Sequence, residues 1–358
     1  MQKTKNKTKK RRFRSFGFGV GVLPTGAQNT IADVRGVRVG HATKIKGDDV
    51  RTGVTVIDPG VANLYHKKVP AAIAVGNGFG KLAGYTQVEE LGTLEAPIAL
   101  TNTLATGTVM RAIVDLVLKI TPHISPIQTI NAVVGETNDG LLNNVHSDVI
   151  SKADVFRAYA SRSSRVRLGS VGAGTGTKAF EWKGGIGSAS RVCIVEGRRY
   201  VIGALVQTNY HGLLTVLGVP IWKFVGKGSR LSGKQLHDNG SCMIVLATDA
   251  PLTARQLKRI ARRAFIGLGK TGSVMKHGSG DYTIAFTTSR TRLEGSGIAG
   301  KCLKDEKLDT FFEAAVDTVE ESVYDALFLG ETTVGRAGNT LKAFPVERVV
   351  QILKQYRT

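Results

Sequence analysis

Nine short apolar runs set the narrowest limit on the fold. They lie at 37–39, 53–57, 71–75, 98–101, 130–134, 192–195, 200–207, 242–248 and 282–287. Each is rich in Val, Ile and Ala and too short for a buried helix, which reads as a buried strand. Amphipathic helical stretches lie between only some of them. Residues 106–120 carry Val109, Ile113, Val114 and Val117 on one face. Residues 253–268 repeat Leu257, Ile260, Ala261, Ala264, Phe265 and Leu268 at helical spacing, behind Thr253 as N-cap. Residues 308–329 form a third stretch, opened by Asp309-Thr310 and ended near Gly330. Strand and helix do not alternate as a doubly wound sheet requires, so the expected class is a layered α/β sandwich.

Charge is concentrated at the start. Of a net +21, eight units fall in residues 1–14, which hold no acid. A Lys/Thr/Asn run without apolar periodicity cannot fold alone, so 1–13 is expected to be a disordered basic tail and 14–358 the domain. The tail can touch nucleic acid without specificity, and the simpler reading is a solubilising extension. The 16–23 stretch is Gly-rich and ends at Pro24, a poor export signal despite Arg11-Arg12. No run reaches the length of a membrane span. Cys193, Cys242 and Cys302 are odd in number and widely spaced, which argues against disulfides and zinc. A cytoplasmic location, no metal and no cofactor are the corresponding expectations.

Some motifs mislead. Gly269-Lys270-Thr271 ends a relaxed phosphate-loop pattern, but it closes an amphipathic helix, where the dipole is negative. Gly267 and Gly269 there read as helix-stop glycines. Gly76-Asn-Gly-Phe-Gly80-Lys81 and Gly172-Ala-Gly-Thr-Gly176 are incomplete dinucleotide fingerprints and read as bends beside a pocket. None of the seven histidines forms an HExxH or HxH pair.

The informative junction is Asp238-Asn239-Gly240-Ser241-Cys242, where the polar connector 227–239 meets an apolar strand. A Ser opening a strand becomes a new N-terminus if the bond before it breaks. Its hydroxyl would attack the Gly240 carbonyl to give an ester that water hydrolyses. The product carries a hydroxyl and an α-amine titrating near pH ~8 on one residue, a nucleophile with its own base. Gly-Ser recurs at six other places, so the dipeptide alone does not single out this one. Ser279 and Asp281 precede the strand 282–287 much as Gly240-Ser241 precedes 242–248, and can orient the Ser241 proton if the strands are neighbours. Asn209, after the strand 200–207, can donate to an oxyanion. Glu136, at the end of 130–134, can receive a substrate ammonium. Each also has an ordinary turn or local hydrogen-bonding explanation.

With these residues in hand, the chain resembles the L-aminopeptidase/D-esterase (DmpA-like) family, which includes the β-peptidyl aminopeptidases. The matching stretches include Asp33-Val-Arg-Gly-Val-Arg-Val-Gly-His41, Gly135-Glu-Thr-Asn-Asp-Gly140, Gln207-Thr-Asn-Tyr-His-Gly212, Asn239-Gly-Ser241, Gly278-Ser-Gly-Asp281 and Gly335-Arg-Ala-Gly-Asn339. They run in order from about Arg14 to near Val350. The resemblance implies a four-layer αββα sandwich, similar to N-terminal-nucleophile hydrolases, that cuts itself at Gly240–Ser241 into an α chain 1–240 and a β chain 241–358. The two would stay together and assemble as a tetramer of αβ pairs. It implies Ser241 as nucleophile, Ser279 and Asp281 as its assisting pair, Asn209 as oxyanion donor and Glu136 for the substrate amine. Substrates would be small peptides or amino-acyl amides, with no metal. Some members carry Glu where Asp281 stands, which keeps the charge and shortens the reach. Some use a Tyr near 136–139, absent here. The competing readings are acyl transfer, as in the related ornithine acetyltransferases, and a non-catalytic basic protein binding through its tail and the Arg255, Lys258, Arg259, Arg262 and Arg263 face.

Overall fold

The computed structural model describes residues 10–230, 240–289 and 302–356. Nine strands of five residues or more lie among them: β1 (Arg38–Lys46), β2 (Val50–Asp58), β3 (Val69–Gly78), β4 (Ile98–Asn102), β5 (Val133–Thr137), β6 (Ile186–Val195), β7 (Arg198–Asn209), β8 (Ser241–Thr248) and β9 (Gly280–Thr287). Each of the nine apolar runs falls on one of these strands, the run 130–134 only by its last two residues. Six α-helices accompany them: α1 (Tyr85–Leu91), α2 (Thr106–Ile120), α3 (Lys152–Ala160), α4 (Ala254–Lys270), α5 (Asp309–Phe328) and α6 (Val346–Gln355).

The strands form two mixed sheets. One runs β1-β2-β4-β5 with Leu82–Ala83 at its edge, and the other runs β6-β7-β8-β9-β3 with Thr93–Leu94 at its edge. Each sheet has one parallel pair, β4 with β5 and β8 with β9. A parallel pair needs a crossover, and the two strongest sequence helices, α2 and α4, supply them. Each then covers the outer face of its own sheet. Val109, Ile113 and Val117 of α2 pack with Val54, Val56 and Val134. Leu257, Ile260 and Ala264 of α4, with Phe311 and Val319 of α5, pack with Ile202, Ile244 and Leu246. Between the sheets lie Ile57, Leu100, Val133, Ile73, Leu205, Met243, Val245 and Ile284. These three cores are the seams of four layers, αββα. Strands buried on both faces have no polar alternation, which is why they read as continuous apolar runs.

Capping follows the sequence at α4, where Thr253 accepts from the Gln256 backbone N–H and Gln256 returns a bond to the Thr253 N–H at 3.0 Å. Two expectations change there. Gly267 and Gly269 lie inside the helix, and Gly267 is a contact glycine: a Cβ on it would stand 2.4 Å from the Val316 carbonyl oxygen of α5. The basic face of α4 is largely occupied. Arg255 and Arg259 pair with Asp305 at 2.7 and 3.1 Å, Lys258 pairs with Glu89, and the Arg263 guanidinium lies 4.0 Å from the Phe312 ring centroid.

The tail boundary also moves. Residues 1–9 lie outside the described residues, but Arg12 and Phe13, counted with the tail above, belong to the fold. Phe13 is fully buried against Phe18, Tyr324 and Phe328. Arg12 Nε donates to Asp325 Oδ2 at 2.6 Å, and the Phe13 N–H donates to Asp325 Oδ1 at 2.9 Å. A single aromatic inside a Lys/Arg run carries no periodicity to betray it. Phe13→Ala is expected to cost about 3–5 kcal/mol of stability by urea unfolding. A loss below about 1 kcal/mol would show that this segment does not anchor α5.

Candidate active site

Gly240 and Ser241 stand at the entry to β8. Gly240 is left-handed, with φ 64°, and a Cβ on it would stand 3.1 Å from the Tyr210 Cα, so the position favours glycine twice over. Ser241 is the first residue of β8 and only 4% exposed. Its Oγ donates to the Gly240 carbonyl oxygen at 2.5 Å, which sets the hydroxyl against the peptide bond that precedes it. Residues 231–239, including Asp238 and Asn239 of the junction, lie outside the described residues.

Register decides the neighbours. Ser241 is opposite Asn209 of β7 and opposite Gly280 of β9. Directly opposed residues share a face of the sheet. Asn209 is therefore on the side of Ser241, together with Met243 in the inter-sheet core. Its Nδ2 donates to the Asn138 carbonyl oxygen at 2.7 Å, and its Oδ1 accepts from the Lys178 N–H at 3.3 Å. That leaves one Nδ2 hydrogen for another acceptor.

Asp281 is opposite Cys242, so its carboxyl lies on the other, helix-facing side. Ser279 and Asp281 are both buried, and neither the Ser279 Oγ nor either Asp281 oxygen makes a hydrogen bond among the described residues. Burial pushes the Asp281 carboxyl up to about 6. Cys242 is pushed well above the usual thiol range, first by burial and then by Asp281, so it is inert. The turn before β9 is pinned by Asn77, whose Nδ2 donates to the carbonyls of Lys276, His277 and Ser279 at 2.8, 3.0 and 2.7 Å. The β9–β3 register shifts at Asp281/Tyr282, an irregularity of the kind that re-aims side chains beside sites.

Glu136 lies within β5, not past its end as the run 130–134 suggested. Its Oε1 accepts from the Lys81 N–H at 2.8 Å, while Oε2 is buried without a hydrogen bond among the described residues. Burial raises its pKa, opposed by the Lys81 N–H, Thr103 and the Lys81 ammonium. The Gly80 backbone joins it to the rest: a Cβ on Gly80 would stand 3.0 Å from Glu136 Oε1, and one on Gly280 would stand 2.6 Å from the Gly80 Cα. The segment 76–81 thus lies beside the site, with Gly76 to Gly78 inside β3 and only its end a bend. Ser241, Asn209, Ser279, Asp281 and Glu136 gather at one end of the two sheets.

Two buried ionisable groups at this end escaped the sequence reading. Asp139 is raised to about 7 by burial, against nearby Thr52 and a 2.9 Å hydrogen bond from Asn143 Nδ2. Lys183 is fully buried, and burial lowers it to about 7 against Asp139 and Glu331. Their only sequence signal was their place beside glycines in Gly-rich segments. Among the described residues no three His, Cys, Asp or Glu side chains are grouped to hold a metal ion, and no helix is long and apolar enough to cross a membrane.

The profile of peptidase family S58 matches residues 29–341. The β-peptidyl aminopeptidase BapA of Sphingosinicella microcystinivorans is 34% identical, over 97% of this chain and 92% of that protein. The crystal structure of the PH0078 protein from Pyrococcus horikoshii superposes with a TM-score of 0.89 at 38% identity, covering 97% of this chain and 99% of that one. The L-aminopeptidase D-Ala-esterase/amidase of Ochrobactrum anthropi superposes with a TM-score of 0.87 at 36% identity, covering 96% and 98%. That enzyme is described as a prototype of the serine aminopeptidases and a variant of the Ntn hydrolase fold.

The raised pKa of Asp281 makes a signed prediction. The native state binds this proton more tightly than the unfolded chain, so its contribution to stability is lost as pH rises from about 4 through about 6. Asp281→Asn removes that titration. Its melting temperature relative to the wild type should be higher at about pH 7.5 than at about pH 4. An equal difference at both pH values would count against the burial of this carboxyl.

Proposed function

Because the chain belongs to peptidase family S58 and is a hydrolase of the N-terminal-nucleophile aminopeptidase kind, we propose that Ser241 first cuts the chain before itself and then cuts substrates. The observation that carries this is the 2.5 Å contact between the Ser241 hydroxyl and the Gly240 carbonyl, at a left-handed glycine opening a central strand. Oγ adds to the Gly240 carbonyl carbon, the C–N bond breaks, and the Ser241 nitrogen takes the proton. Water hydrolyses the resulting ester, leaving the carboxylate of residue 240 and a free Ser241.

In turnover the new α-amine receives the hydroxyl proton as Oγ attacks the substrate carbonyl. The oxyanion is met by the remaining Nδ2 hydrogen of Asn209. The leaving amine takes a proton, and water releases the acyl group from Oγ. Glu136, buried with one oxygen unpaired, accepts the free ammonium of the substrate. Ser279 and Asp281 act on the α-amine of Ser241. Substrates are small peptides or amino-acyl amides with a free N-terminal amine.

The pieces 1–240 and 241–358 stay together because β8 is paired along its whole length with β7 on one side and β9 on the other. Exposed Phe79, Leu104, Leu213 and Val274 near the site suit burial between copies, in a tetramer of such pairs. Three free thiols suit the cytoplasm.

The intact mass of the purified protein should show two chains, the second beginning Ser-Cys-Met-Ile. Ser241→Ala should remain one chain and lose at least about 10³-fold in activity. Activity retained by that variant would remove Ser241 from its role. Asn209→Ala should lower kcat by about 10²–10³-fold with little change in KM. A change confined to KM would instead make Asn209 a binding group.

A further inference from the structure

Lys183 is a fully buried lysine at this end of the sandwich, and its ammonium is met by backbone. Its Nζ donates to the carbonyl oxygens of Gly174, Thr177 and Gly184, each at 2.9 Å. An ammonium has three N–H donors, and all three are used. The carbonyls belong to a Gly-rich stretch whose ordering costs more backbone entropy than an ordinary loop. A methionine of similar shape would leave three carbonyls facing an apolar group, each at the cost of an unmade buried hydrogen bond.

The caged stretch touches the site at two points. Lys178, next to caged Thr177, gives its N–H to Asn209 Oδ1 at 3.3 Å. Gly185, next to caged Gly184, exchanges bonds with Thr208: the Thr208 N–H donates to the Gly185 carbonyl at 3.1 Å, and the Gly185 N–H donates to Thr208 Oγ1 at 3.1 Å. The Lys178 N–H on Oδ1 and the Asn138 carbonyl on Nδ2 together set the rotation of the Asn209 amide, in register with Ser241. A shift of that loop would remove one of the two bonds that hold the amide.

We propose that Lys183 is a positioning residue for the reaction at Ser241: its buried ammonium holds the carbonyl cage that fixes the Asn209 amide. This rests on the function proposed above. Burial depresses the ammonium pKa to about 7, with Asp139 and Glu331 opposing, and the three carbonyls also favour the charged form.

The test uses the full chain, an intact-mass time course for cutting at Gly240–Ser241, and steady-state kinetics on an amino-acyl p-nitroanilide. Lys183→Met should slow cutting and lower kcat by about a hundredfold, with KM within about threefold of the wild type and a cooperative melt retained. Thr208→Val, which removes the side-chain half of the Gly185 exchange and leaves the cage intact, should lower kcat by about tenfold at unchanged KM. If Lys183→Met does not melt cooperatively, Thr208→Val decides. Wild-type kcat in either folded variant, or a change confined to KM, overturns the positioning role. A wild-type chain that neither cuts itself nor turns over the substrate overturns the underlying function and this inference with it.

Discussion

Strand β8 carries eight residues, each with a partner in β7 on one side and in β9 on the other. That double register sets Asn209 and Gly280 beside Ser241. Side chains alternate with period two, so a slip of one residue would turn Ser241 toward the helix layer and bring Cys242 to its place. The core forbids the slip. Met243, Val245 and Ala247 fill the space between the sheets, while Cys242, Ile244 and Leu246 fill the space under α4 and α5. A shifted register would exchange two complete sets of packed contacts. The apolar strand that reads so plainly in the sequence therefore does two things: it builds the core, and it aims the residue at its head.

Buried acids are handled differently at the two ends of the molecule. Glu321 in α5 is buried, and burial alone would raise its pKa, yet Arg14 and Arg191 hold it below the usual carboxylate range. Arg191 Nη2 reaches it at 2.6 Å, and both side chains are fully buried. That cluster fastens the N-terminal segment and is structural. Glu136, Asp139 and Asp281 are also buried, and all three are raised because nearby groups only partly offset burial. Asp325, in the N-terminal anchor beside Arg12, is raised to about 6 as well, so what sets the three at the Ser241 end apart is a raised pKa together with oxygens that lack a hydrogen bond among the described residues.

The strands and the three strong helices were legible because burial on both faces, or on one helical face, leaves a direct mark on residue type. The four-layer arrangement needed the family resemblance, since nothing in a strand run says which other run it pairs with. Helices α1, α3 and α6 were missed: they have only seven, nine and ten residues, too few turns to establish a period. Ser241 stood out as a Ser heading an apolar strand, but six other Gly-Ser pairs made the signal ambiguous. Lys183 was illegible. Its partners are backbone carbonyls, which every residue has, so no side-chain pattern can announce a cage built from them. Arg12 and Phe13 were hidden for a related reason, because one buried aromatic and one paired guanidinium look like any others inside a basic run.

The two faces of the sheet divide the proposed chemistry. The Ser241 hydroxyl and Asn209 share the inter-sheet face, where Glu136 also approaches through Gly80. Asp281 shares the opposite face with Cys242. A carboxyl on that side cannot take the hydroxyl proton directly, since the strand itself lies between them. The backbone nitrogen of Ser241 is different, because it sits in the plane of the sheet, where both faces meet. In the uncut chain that nitrogen is an amide and has no basicity to tune. Once the bond to Gly240 is broken it is an amine at the strand end, within reach of the Ser279 side. In the proposed mechanism Asp281 therefore matters through the amine, after cutting, while the first cut relies on the hydroxyl, the left-handed glycine and Asn209. The shorter reach of Asp compared with Glu is then no handicap, because its task is to set the charge around a neighbouring amine and not to span the strand.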